Sequence, residues 1–294
     1  MKVVAVVQNK GGVGKTMLTR NLAVGFARRG KRVLIIDLDA QCNLSRRFLS
    51  MTYDPSDPDG VLPPVHPDFD PEAEDGWSGL SSSAEIYFSG EVFPYPTRID
   101  GVDALPGHGS RLLEIELVKA SEVRERVHER LKAFLDLPEV AATYDLVLID
   151  TAPAKGPLTI SAMRAATHLI IPTVMEQQPI EGLHGMLALW RRELRQRDVN
   201  RPLQIAAIQV NLFRRSVALH EGLYASLREN PAVSELLSPV LLCQRVAFAE
   251  TDRDDARPAN VFDLGPKDPA RIEATAMVDH IDRTLYGTIA EAAA

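Results

Sequence analysis

Residues 10 to 16 of this 294-residue chain read Lys-Gly-Gly-Val-Gly-Lys-Thr, and the flanks leave that segment few ways to fold. Val3, Val4, Ala5, Val6 and Val7 precede it as an unbroken apolar run, the pattern of a strand covered on both faces. Leu18, Leu22, Ala23, Phe26 and Ala27 follow at spacings of three and four, one face of a helix. Strand, glycine loop and helix in that order form a cradle for phosphate. Gly11, Gly12 and Gly14 lack Cβ, so the backbone can curl and turn several N–H groups toward one anion. The helix N-terminus adds partial positive charge. Lys15 is then the cation for the β- and γ-phosphates, and Thr16 offers its hydroxyl to Mg2+. Without its flanks the segment would read as a glycine-rich turn with two solvated lysines.

Five residues before Gly14, where the common phosphate-loop pattern has glycine, stands Asn9, and a second lysine, Lys10, enters at the mouth of the loop. In this the segment resembles the deviant Walker A motif of the ParA/MinD family, ATPases that dimerise around two nucleotides. The resemblance implies a P-loop NTPase fold, ATP and Mg2+ as cofactors, and nucleotide contacts from Lys10, Gly11, Gly12, Val13, Gly14, Lys15, Thr16 and Met17. It also implies a catalytic part for Lys10, which in the family reaches the partner's phosphates as an arginine finger does in trans.

Parallel sheets place their chemistry at strand ends, and two strand ends here are acidic. Asp37-Leu38-Asp39-Ala40-Gln41-Cys42-Asn43 resembles the Asp-x-Asp-Pro-Gln-x-Asn segment of ParA proteins, with alanine in place of proline at 40. The resemblance makes Asp39 the residue that positions the attacking water and counts it with the metal site; a solvated acidic turn with a helix cap is the plainer reading. Asp150 ends the apolar run Leu146-Val147-Leu148-Ile149, the Walker B pattern of a carboxylate that holds Mg2+ directly or through water. Asn211 follows another apolar run, and its amide suits either the edge of an adenine ring or a turn. Arg214, Arg215 and Arg245 fall where ParA proteins carry arginines used for DNA, although arginines are also ordinary surface residues. Arg191, Arg192, Arg195 and Arg197 read as one solvated helix face.

Further strands are expected over 32–36, 102–106, 144–150, 166–172 and 203–210, and helices over 112–135 and 180–197. Repeated strand–helix alternation predicts an α/β fold, a mostly parallel twisted sheet flanked by helices on both faces, in one domain over residues 1–294. The stretch from Met51 to Asp103 breaks the pattern. Rich in Pro, Asp, Ser and Gly, it reads as a mostly irregular insertion with one short helix near 84–88, either a surface elaboration or a partner-binding loop.

No apolar run approaches the roughly 18 residues of a membrane span. Two cysteines, Cys42 and Cys243, make no disulfide framework, and the opening strand leaves no room for a signal peptide, so cytoplasm is expected. A net charge of -7 weighs against tight nucleic-acid binding by the whole surface. It does not exclude a local basic patch assembled in a dimer. The resemblance implies a ParA-type ATPase that segregates or positions a plasmid, chromosome region or other cargo. It would form a homodimer with ATP, bind DNA non-specifically at the nucleoid, and meet a ParB-like or adaptor protein that stimulates slow hydrolysis. A MinD-like membrane-cycling ATPase is the alternative, disfavoured because 279–294 carry acidic residues and no basic face. An iron–sulfur reductase of the same fold would need paired cysteines, and a non-hydrolysing scaffold would show no turnover.

Overall fold

The computed structural model describes residues 1–55, 60–73, 76–253 and 256–287. Among them are strands β1 (Lys2–Val6), β2 (Val33–Leu38), β3 (Thr52–Tyr53), β4 (Val61–Leu62), β5 (Tyr95–Pro96), β6 (Val102–Leu105), β7 (Leu146–Thr151), β8 (His168–Thr173) and β9 (Gln204–Val210). The helices are α1 (Lys15–Ala27), α2 (Asn43–Phe48), α3 (Glu85–Phe88), α4 (Gly109–Glu116), α5 (Ser121–Leu135), α6 (Pro138–Thr143), α7 (Pro157–Ala165), α8 (Gln177–Arg195), α9 (Ala218–Glu229), α10 (Val246–Glu250) and α11 (Pro269–Tyr286).

Seven strands form one sheet in the order β5-β6-β2-β7-β1-β8-β9, and only β5 runs antiparallel to its neighbour. Alternation along β1 sends Val3 and Ala5 to one face and Val4 and Val6 to the other. The first pair shares a core with Leu112, Leu131, Met163 and Leu183 from α4, α5, α7 and α8. The second packs with Leu22, Phe26, Val278 and Ile281 from α1 and α11. Helices thus cover both faces, as the continuous apolar strands predict.

Two expectations are corrected. The single helix over 112–135 is two, α4 and α5, broken at 117–120. Ile115 and Leu131 are sixteen residues apart, about 160° around one continuous helix. Both are buried, and the break is what turns them to the same core. Helix α8 begins before Ile180, at Gln177, because Pro179 sits in its first turn, where no N–H partner is lost. The insertion is mostly irregular, as expected, and its short helix α3 falls within the expected 84–88. It holds the β3–β4 pair and α3, and it supplies β5, the antiparallel edge of the main sheet. Its centre is aromatic: the buried His66 ring lies 4.6 Å from Tyr95 and 5.5 Å from Trp77, and Trp77 lies 4.6 Å from Phe93. The Tyr95 hydroxyl accepts from Ser81 N and donates to Pro64 O, both at 3.0 Å.

Helix α1 presses on α11 at Gly25, where an added Cβ would lie 2.5 Å from Val278 Cγ2. Gly25→Ala should gain up to about 1 kcal/mol of helix propensity. The overpacking, about 1–3 kcal/mol, should outweigh it. A lower urea midpoint is therefore expected, and a raised midpoint would show that the two helices separate without cost.

Candidate nucleotide site

The loop after β1 is held from below. Val7 N donates to Ile170 O at 3.0 Å, and the Gln8 side-chain amide donates to Pro172 O at 3.1 Å. Gly12 and Gly14 take φ of 72° and 87°, the left-handed region that favours glycine. Gly14 opens α1, which has no side-chain cap and no acidic residue in its first turn, so its leading N–H groups remain for an anion. Lys15 is only 7% exposed, with Nζ 3.5 Å from the Lys10 carbonyl oxygen. Burial lowers its pKa, against the pull of Asp150 and Asp39.

Thr16 Oγ1 donates to Asp150 Oδ2 at 2.6 Å, while Asp150 Oδ1 is buried with no hydrogen-bond partner. Burial first, then Asp37, pushes the Asp150 carboxyl up to about 8. An orphaned carboxylate oxygen beside a hydroxyl at the phosphate loop is a donor set that fits Mg2+, which binds through one or two protein oxygens plus phosphate and water. When bound, the ion would neutralise phosphate oxygens. No cluster of three or more His, Cys, Asp or Glu side chains able to hold a metal occurs among the described residues. Asp39 is half-buried, and its Oδ1 accepts from Gln41 N at 3.0 Å, so a turn orients it at the rim.

Asp37, not among the site residues expected from sequence, organises that turn. Its Oδ1 accepts from Asp39 N at 3.1 Å, and its Oδ2 accepts from Ser45 N and Oγ at 2.9 and 2.6 Å. Burial pushes it up to about 6 in spite of these bonds. The Asp-x-Asp spacing was the available signal.

Lys10 is half-buried and makes no ion pair among the described residues. Its stem crosses α8 at Gly182, where a Cβ would stand 2.9 Å from Lys10 Cγ. Asn211 is fully buried; its Nδ2 donates to Val13 O at 2.8 Å and its Oδ1 has no partner. The amide therefore braces the loop and keeps one acceptor unused. Val13 is buried, and Met17 Sδ accepts from Asn21 Nδ2 at 3.1 Å.

Arg214 and Arg215 are exposed beyond β9. Arg245 comes beside them because Phe213 pairs with Cys243: Phe213 N donates to Leu242 O and Gln244 N to Phe213 O, at 3.0 and 2.9 Å. Arg245 is already paired with Glu273 of α11. Arg191 and Arg195 are exposed as expected, Arg192 pairs with Glu193, and Arg197 instead donates to the Met163 and Arg164 carbonyls. Cys42 and Cys243 are both buried, and burial raises each thiol.

The nucleotide-free protein should lose stability as pH rises from about 4 to about 8. Over that window the folded state keeps a proton on Asp150 that the unfolded chain releases. Asp150→Asn should flatten the slope of urea midpoint against pH. Mg2+–nucleotide binding near pH 7 should release a proton, readable by calorimetry in buffers of different ionisation enthalpy.

A family model described as the CobQ/CobB/MinD/ParA nucleotide binding domain matches residues 4–256. The chromosome-partitioning ATPase Soj of Thermus thermophilus is 31% identical over 227 residues, covering 76% of this chain and 75% of that protein. The sporulation initiation inhibitor protein Soj of Bacillus subtilis is 29% identical over 212 residues, 72% of each. Among solved structures, apo McdA of Cyanothece aligns with a TM-score of 0.72 at 18% identity, covering 97% of this chain and 99% of that one, a likeness of P-loop NTPase fold. A match running from β1 to beyond α10 takes in every part of the cradle described above, and the chain belongs to the CobQ/CobB/MinD/ParA family.

Proposed function

We propose that this protein is a ParA-type positioning ATPase that binds ATP with Mg2+, pairs with a second copy, and holds DNA without sequence preference until hydrolysis releases it. The observation that carries the reading is Lys10: a second lysine at the rim of the phosphate loop, lying on Gly182, with no ion pair among the described residues. A lysine so placed is available to phosphates other than those Lys15 serves. In this reading Lys15 and the loop N–H groups bind the β- and γ-phosphates, Thr16 and Asp150 hold Mg2+, and Asp39 orients the attacking water. Phosphoryl transfer asks for little more than that positioning and charge neutralisation. The partition relatives support the cargo class. Arg214 and Arg215 are the groups for DNA phosphate, with Arg245 joining once it leaves Glu273.

A membrane-cycling role is less well supported. Helix α11 buries Ala274, Met277, Val278 and Ile281 in the core shared with α1, so its apolar face is already occupied. No helix among the described residues is long and apolar enough to cross a membrane.

DNA retention measured with ATP, with ADP and without nucleotide in matched salt tests the reading. Retention with ATP alone, falling steeply between about 50 and 200 mM salt, is expected. No retention with ATP at low salt would remove the DNA step. Lys10→Ala should keep ATP affinity but lose most turnover and weaken ATP-driven pairing, followed by light scattering; turnover at the parent rate would exclude a role in trans.

A further inference from the structure

Asp150 is followed by Thr151-Ala152-Pro153-Ala154-Lys155-Gly156, the segment that leads from β7 into α7. Its main chain is fixed at several points. Thr151 Oγ1 donates to Val6 O at 2.9 Å, Ala154 N to Ala152 O at 2.8 Å, and Thr159 Oγ1 to Ala154 O at 3.0 Å. At Gly156 the Glu116 carboxyl lies so close that any Cβ would overlap it. On this fixed base Lys155 is exposed and makes no ion pair among the described residues. Its ammonium lies against α8 at Gly185, where an added Cβ would overlap Nζ. The stem of Lys10 crosses the same helix at Gly182. Residues three apart share a helix face, about 4.5 Å along the axis. Glycine inside a helix is costly against alanine, and the two glycines of α8 stand at the two places where a lysine lies on it.

Two lysines thus rest along one helix face, one from each of two loops that border the phosphate site, and neither has a carboxylate partner among the described residues. Like charges so placed repel, and an anion that meets both turns the repulsion into attraction. Lys155 is badly placed for the phosphates of its own subunit. Gly182 is also where Gln8 and Asn9 of the phosphate loop come up to α8, so Gly185, three residues further on, lies past that loop. The subunit's own cradle already has Lys15 and the leading N–H groups of α1. We propose that Lys155 is a second phosphate-binding residue in trans: when two copies pair, it joins Lys10 at the phosphate oxygens of the nucleotide held by the other copy. The proposal rests on the paired-ATPase reading above and adds to it a cation that lies outside the phosphate-loop motif. Because the main chain on either side of Lys155 is already held, only its side chain has to turn, and little is lost in ordering it.

The test uses the full chain with Mg2+ and the non-hydrolysable ATP analogue AMPPNP. Affinity of the single subunit is read with a fluorescent form of the analogue, at dilutions where the parent stays monomeric. Pairing is read by sedimentation velocity at about 50 and about 200 mM salt. Lys155→Ala should pair about tenfold more weakly at the lower salt, with a smaller deficit at the higher, while single-subunit affinity stays unchanged. Lys155→Arg should restore pairing and Lys155→Gln should not, since the charge and not the shape is at work. Lys2→Ala, which removes the same charge from the opposite end of β1, should pair like the parent. Pairing of Lys155→Ala at parent strength, or rescue by glutamine, would overturn the proposal. So would a fall in single-subunit affinity as large as the loss of pairing, which would put Lys155 on its own nucleotide. A parent that stays monomeric with AMPPNP sinks the paired-ATPase reading and the role of Lys155 with it; a parent that pairs beside an unaffected Lys155→Ala sinks only the role of Lys155.

Discussion

Asp37 and Asp150 face each other in register on adjacent strands, β2 and β7, and each is about 1% exposed. Burial is the main reason both carboxyls are pushed up; Asp37 adds to the rise of Asp150, and Asp39 to that of Asp37. Much of the site is arranged around them. Ser45 and the Asp39 amide satisfy Asp37, which sets the path of the turn and of α2. Thr16 satisfies one oxygen of Asp150, which ties the start of α1 to the end of β7. Lys15 is a buried cation near Asp150 and Asp39, only 7% exposed. Incoming phosphate and Mg2+ would meet polar groups already desolvated and held in place, with the Asp150 proton the one to be released on binding.

What the sequence made legible is what is local. The phosphate loop with its strand and helix is a continuous stretch, and β2, β7, β8 and β9 announce themselves as apolar runs because helices cover both faces of the sheet. Boundaries slipped where local pattern has no say. The 117–120 break depends on which core the two ends of the segment must share, which periodicity over a single window does not record. The insertion lacked periodic aliphatics because it is ordered by a few aromatic rings and by hydroxyls reaching main chain, a code with no period.

Site residues divide in the same way. Lys10, Lys15, Thr16, Asp39 and Asp150 carry motif positions and were named from sequence, whereas the work of Asp37 is seen only once Ser45 and Ser83 fold back on it. Asn211 had two readings, and the bond from its Nδ2 to Val13 O adds a third part, bracing the loop. Sequence leaves Arg245 as a DNA arginine or an ordinary surface residue; its Glu273 partner lies 28 residues on, in a different helix, beyond any local rule.

The position of β1 has a consequence for how the chain comes to be folded. Although it comes first in chain order among the strands of this sheet, it pairs with β7 and β8, so its neighbours are some of the last sheet strands to appear. A nascent chain emerging from the ribosome cannot seat β1 until residues as far as His168–Ile170 are available. Until then the first strand is an apolar segment with both edges open, and closure over so long a span makes folding slow and aggregation-exposed. Production of this protein should thus depend on what shields β1 during synthesis more than on the strength of any contact in the finished fold.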